Sequence, residues 1–180
     1  MDGTEAASDP GAEGVRWLTT EERRAWLCLV ATHMQLMPAL EADLQQRGGV
    51  SIFEYQVMTM LSESAEPLAM SELAARTDSS LSRLSHAVRK IEVRGWIQRS
   101  TSLQDARVTL AELTAQGREE IVRLAPIHVA SVRTLFLDLL DQQDLQDMVR
   151  IGGKIVKHLK PDHWVFRNPE ITGEEAADTP

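Results

Sequence analysis

Cysteine is almost absent from this sequence: Cys28 stands alone in 180 residues. One thiol closes no internal disulfide and builds no thiolate metal cluster, so the fold must hold by packing, and a reducing cytoplasm is the expected compartment. No apolar run approaches the roughly 18 residues of a membrane span. The acidic opening MDGTEAASDPGAEG lacks the basic-then-apolar order of a secretion signal, so we expect no membrane partner. Basic residues are in deficit too, with 19 Lys and Arg against 27 Asp and Glu and a formal charge of −8. That balance excludes a chain coated all over by nucleic acid, but not a local basic face. Also missing are the signatures of catalysis: a phosphate-binding glycine loop, a GxSxG elbow and an HExxH pair. We expect no enzyme and no cofactor. His128, His158 and His163 are the one combination to weigh as a metal site, and with no acidic or thiol ligand fixed beside them we expect no metal.

What is present is helical periodicity, broken once. Residues 1–15 and 168–180, rich in Gly, Ala, Pro and acid, read as disordered tails. Thr19 and Glu22 have capping-box spacing, and Trp26, Val30, His33, Met37, Leu40 and Leu44 then mark one helix face up to Gly48-Gly49. Pro38 predicts a kink or break near Met34 to Met37. Ser51 and Glu54 open a second helix with Phe53, Val57, Met60 and Leu61 as its apolar members. A short helix from Met70 to Thr77 and the turn TDSS lead to a third pattern. There Ser79 is the expected cap, Leu81, Leu84, Val88 and Ile91 form the buried face, and Gly95 takes the left-handed stop. Two strands come next, Trp96 to Arg99 and Val108 to Leu113, around the polar tip SLQDAR, and Thr114 caps the next helix. Helical pattern then continues to about Lys160, with a bend expected at Pro126 and a restart at Asp141 and Asp144.

The fold class is thus mainly α with a small β-hairpin: helix, turn, helix and hairpin over 51–117, flanked by helices at 16–47 and 118–160. Ile121, Leu124, Val132, Leu135, Phe136 and Leu139, then Leu145, Met148, Val149, Ile155, Val156 and Leu159, make more apolar surface than so small a unit can cover. A dimer is expected. Residues 76–107 hold seven basic and three acidic side chains, net +4, leaving 12 basic and 24 acidic residues and −12 elsewhere. Positive charge is therefore concentrated on the unit whose shape suits a major groove.

The stretch SELAARTDSSLSRLSHAVRKIEVRGWIQR, followed by DARVTLAELTAQG, resembles the MarR-type winged-helix regulators, with Asp105, Arg107, Leu113, Thr114 and Gly117 at the family's positions. The likeness spans roughly Thr20 to Leu159. Ala69 replaces a common Ser or Thr cap, and Ala106 a common second wing arginine. The resemblance implies a winged helix-turn-helix with N- and C-terminal dimerisation helices. It further implies a homodimer on double-stranded DNA at a pseudo-palindromic operator, usually a repressor released by a small-molecule effector.

From residues and resemblance together, Ser80, Ser82, Arg83 and His86 are the expected base-reading positions, with Arg83 suited to a guanine. Arg89, Lys90 and Arg99 are expected on phosphates, and Arg107, oriented by Asp105, in a minor groove. The alternative for Asp105 and Arg107 is an ion pair that only stiffens the hairpin, and for the whole basic face a protein-interaction module with an acidic partner. Trp26, His33, Met37, Tyr55 and Met58 are the expected effector pocket, or else plain core. Cys28 raises a redox-sensing alternative. The tyrosines such a sensor supplies are missing, Thr32 stands where one would be expected, and a buried structural cysteine is the preferred reading.

Overall fold

The structure is a computed structural model that describes residues 15–167, so the two expected tails lie outside the described residues except at Val15. The chain divides into two compact units, Met1–Met37 and Pro38–Pro180. Helix α1 (Thr20–Gly48) crosses the division and carries Pro38 inside it. Of the kink or break expected near Met34 to Met37, the break does not occur, since the helix is continuous through Pro38. A proline withholds its own N–H from the carbonyl four residues back and leaves the turns on either side able to pair. At the start of α1, Glu22 accepts from Thr19 N at 2.7 Å and its own N–H reaches Thr19 Oγ1, the expected reciprocal cap.

The second unit holds the winged lobe and the helices C-terminal to it. Helix α2 (Ile52–Ser62) has the Ser51–Glu54 capping box, and the Glu41 carboxylate takes the Ile52 N–H at 2.7 Å. Strand β1 (Leu68–Ala69) has no counterpart in the sequence pattern, because two residues carry no periodicity. Helix α3 (Met70–Arg76) starts at Ala69 without a side-chain cap, as the Ala implies. Asp78 then turns left-handed at φ 46, a conformation Asp tolerates. Helix α4 (Leu81–Val93) is capped by Ser80, whose Oγ accepts from Arg83 N at 3.2 Å. The expected cap, Ser79, instead bonds the Thr77 hydroxyl at 2.9 Å. Strands β2 (Ile97–Thr101) and β3 (Thr109–Leu113) form the wing, and the antiparallel sheet runs β1-β3-β2.

The lobe closes around one core. Val57 and Met58 of α2, Leu73 of α3, and Leu84, Val88 and Ile91 of α4 are inaccessible, together with Leu44 and Leu124. Leu81, an expected member of that face, is 54% exposed, because it opens α4 one turn beyond the last core layer. Gly95 has φ 78, and its carbonyl accepts from Thr114 Oγ1. The Thr114 hydroxyl oxygen in turn accepts from Gly117 N and so caps α5 (Ala115–Leu135). A methyl group on Gly117 would lie 1.9 Å from the Trp96 carbonyl oxygen, so glycine is what lets α5 abut the start of β2.

Beyond Leu124 the burial stops almost entirely. α5 runs through Pro126, then a single 3₁₀ turn leads to α6 (Gln142–Leu159), which has the Asp141–Asp144 capping box and no buried residue. The expected apolar faces are open only in part: Leu124 is buried and Ile121, Val132, Phe136, Leu145 and Val156 are half-buried, whereas Leu139 is 74% exposed and Leu135, Met148, Val149, Ile155 and Leu159 are exposed as well. After α6, Lys160 and His163 both bond Asp78 in the turn before α4, and Trp164 packs against the lobe core. Burial works to raise the Asp78 carboxyl, but the bonds from Lys160 and His163 outweigh it and hold it below the ordinary range. No described helix is long and apolar enough to cross a membrane.

Candidate nucleic-acid interface

Helix α4 displays Ser82, Arg83, His86, Arg89 and Lys90 to solvent, beside the exposed capping residue Ser80, while its other face enters the core. The first turns of α1, α2, α3 and α6 carry acidic residues, and those of α4 and α5 carry none. A cation there opposes the helix dipole by a few tenths to about 1 kcal/mol, so Arg83 is not placed for the helix's own stability.

The formal +4 of this region is largely engaged by internal partners. Arg76 pairs with Glu72 at 2.9 Å, Arg99 chelates Glu92 at 2.5 Å, and Arg107 pairs with Asp105 at 3.0 Å. Lys90 stands 3.9 Å from the buried Glu54 carboxylate, and Arg94 donates to the Gly49 carbonyl while lying over Trp96. Glu54 and Glu72 precede the basic stretch in sequence, so a charge count over that stretch cannot see them. Among the described residues the Arg83 guanidinium has no hydrogen bond or ion pair. Its carbon sits 4.1 Å from the centroid of the Phe53 ring, over the ring face. In sequence Phe53 is only an apolar helix member, and nothing there links it to a residue 30 positions away.

The wing residues divide. Arg107, with its side chain 90% exposed, is held by Asp105 through Nε, Nη2 and its own backbone N–H. The side-chain bond from Arg107, then its backbone N–H, keep the Asp105 carboxyl below its usual range. The pair joins the two residues within the hairpin tip, a geometry common to the orienting and the stiffening readings. Arg99, expected on a phosphate, ties β2 to α4 through Glu92, and that bond raises its pKa above the ordinary guanidinium value.

The residues expected to form an effector pocket lie in both units. Trp26, His33 and Met37 are exposed on the N-terminal unit. In the other unit Tyr55 is half-buried, its ring 4.7 Å from that of His128. Met58 is fully inaccessible inside the lobe core, the arrangement of the plain-core alternative. Burial lowers the His128 pKa, and its Nδ1 is buried without a hydrogen-bond partner. His128 and His163 keep separate company, and among the described residues no three His, Cys, Asp or Glu side chains gather to hold a metal. Cys28, expected to be buried, is exposed on α1, where a single chain leaves the apolar face uncovered.

A helix-turn-helix with a β2–β3 wing in a three-stranded sheet and an exposed basic ridge defines a winged-helix DNA-binding protein. The model of the MarR family matches residues 50–109. AbsC, a MarR family transcriptional regulator from Streptomyces coelicolor, is 38% identical with a TM-score of 0.77, over 82% of this chain and 100% of that one. Sco3205, a MarR family regulator from the same organism solved in complex with DNA, is 34% identical with a TM-score of 0.79, over 83% and 94%. CouR from Rhodococcus jostii RHA1, solved bound to p-coumaroyl-CoA, shares the fold at 19% identity and a TM-score of 0.64, over 81% and 97%. The chain belongs to the MarR family of DNA-binding transcriptional regulators, which are not enzymes.

Proposed function

We propose that the protein acts as a homodimer that reads a pseudo-palindromic operator with two copies of α4, and represses transcription until a small-molecule effector releases it. The observation that carries this reading is Arg83. It stands on the first turn of the ridge helix with its N–H edge unpaired, while most neighbouring basic groups are engaged internally. A guanidinium edge matches guanine O6 and N7 bidentately, worth about 1–3 kcal/mol of discrimination. Ser82 and His86 share that reach, Arg89 and Lys90 face phosphates, and Arg107 enters the minor groove. Support for the DNA comes from Sco3205 at 34% identity. Support for the dimer comes from α6, whose exposed Met148, Ile155 and Leu159 lie on one side and find no cover in a single chain. An effector is supported by the ligand on CouR and by the buried, unpartnered Nδ1 of His128 beside Tyr55.

The test is fluorescence anisotropy on the DNA upstream of the protein's own reading frame, against a scrambled duplex, over a salt series. Preference for the upstream DNA, reduced in Arg83→Ala, is the expected result. Equal, steeply salt-dependent binding to both duplexes would mean phosphate contacts alone and overturn it, and binding to neither would leave the basic face to an acidic protein.

A further inference from the structure

We propose that Phe53 is a positioning residue for base recognition: its ring holds the Arg83 guanidinium by one face, so that the N–H edge reaches a guanine in register. This rests on the reading of α4 as the helix that enters the major groove. Both members of the stack stand on fixed first turns. Phe53 is the second residue of α2, between Ser51 and Glu54, which bond each other's backbone N–H at 2.9 and 3.1 Å, and next to Ile52, whose N–H is held by Glu41. Arg83 is the third residue of α4, its own N–H bonded to Ser80 Oγ. The same two helices are linked again by Lys90 and Glu54 across the cleft that Phe53 and Arg83 line.

The chemistry of the pair explains why a ring, rather than a carboxylate, meets this arginine. A guanidinium is planar, with all five N–H donors in its plane and its faces free to stack. A carboxylate partner, as Glu92 is for Arg99 and Asp105 for Arg107, takes the same in-plane donors that a guanine needs. An aromatic face takes none of them. It restrains the side chain and leaves recognition capacity intact, which reduces the rotamer freedom lost on docking. Phe53 packs against the core with part of its ring and stays half-buried, so a ring face remains for Arg83, while Val57 and Met58 of the same helix are inaccessible.

The experiment compares Phe53→Leu, Phe53→Met, Phe53→Tyr, Arg83→Ala and the Phe53→Leu/Arg83→Ala double variant, all confirmed folded by circular dichroism. The readout is the affinity ratio between a bound duplex and duplexes with each guanine replaced in turn. Leu and Met should lower that ratio about twofold to tenfold per half-site at one guanine, with unchanged affinity for scrambled duplex. Tyr should preserve the ratio, and the double variant should match Arg83→Ala alone. If Arg83→Ala abolishes the ratio while Leu and Met leave it whole, Phe53 has no positioning role and base reading by Arg83 stands. A loss from Phe53→Leu that persists undiminished on the Arg83→Ala background refutes positioning as well. If Arg83→Ala itself leaves every ratio unchanged, the base-reading assignment fails, and the proposal with it.

Discussion

Gly117 at the start of α5 and Gly152 in the middle of α6 are both helical, and a methyl group added to each meets opposite surroundings. At Gly117 it strikes the Trp96 carbonyl oxygen at 1.9 Å; at Gly152 there is nothing within 4 Å. The same contrast runs through the elements that carry them. The winged lobe is finished within one chain, with a sealed core around Leu73, Leu84 and Ile91. Helix α6 is as well capped as α2, yet buries none of its residues. Local rules of capping and periodicity are met in both places, so they do not distinguish a finished surface from one built to meet a partner. Burial does. On the dimer reading, recognition belongs to the lobe of each copy and pairing to the helices outside it.

Substitutions in the two regions should therefore differ in kind. Leu73→Ala, inside the lobe, should cost about 2–5 kcal/mol in denaturant unfolding, with a cavity cost that does not depend on protein concentration. Ile155→Glu, on α6, should shift light scattering at micromolar protein to a single-chain mass near 20.1 kDa, with a melting temperature that no longer rises with concentration. A variant that stays dimeric would place the interface elsewhere. Gly117→Ala should destabilise by about 1–3 kcal/mol through overpacking, whereas Gly153→Ala, in open space on α6, should stabilise by up to about 1 kcal/mol through helix propensity alone. The pair sets opposite signs on the same glycine-to-alanine change within one chain.

A smaller effect is expected from His128. Burial favours its neutral form, so the unfolded chain takes up the proton first, near the ordinary imidazole value of about 6.5. Its contribution is therefore complete above that pH and declines as pH falls from there toward the lowered folded-state value. Denaturant midpoints at pH 7.5 and 5.5 should differ less in His128→Phe than in the parent. Smallest of all, Asp105→Ala should leave the melting temperature unchanged, since the wing pair is solvent-exposed. It should still weaken binding to operators with A·T-rich flanks by releasing Arg107.

Much of the fold is legible in the sequence because its determinants are local. Thr19 with Glu22, Ser51 with Glu54 and Asp141 with Asp144 sit three residues apart and satisfy each other in the structure. The exposed ridge of α4 comes from steps of three and four. Contacts between chain segments brought together only by folding are not legible in this way. The Arg83 stack on Phe53, the Arg99 chelation of Glu92 and the hold of Lys160 and His163 on Asp78 join residues on different elements. The cap of α4 lies one residue beyond Ser79 because Thr77 offers Ser79 another partner. Leu81 and Cys28 are exposed against expectation because periodicity gives the side of a helix but not where its cover ends.

The proposed division of labour between the lobe and the helices outside it is tested most directly by selecting bound duplexes from a random-sequence pool with the purified protein and sequencing them. The expected result is an inverted repeat whose half-site centres lie about one helical turn, roughly 10 base pairs, apart. Each half should contain a guanine that loses its enrichment when the selection is repeated with Arg83→Ala. A single unrepeated motif, or a pool with no enriched sequence, would contradict the assignment of base reading to two copies of α4.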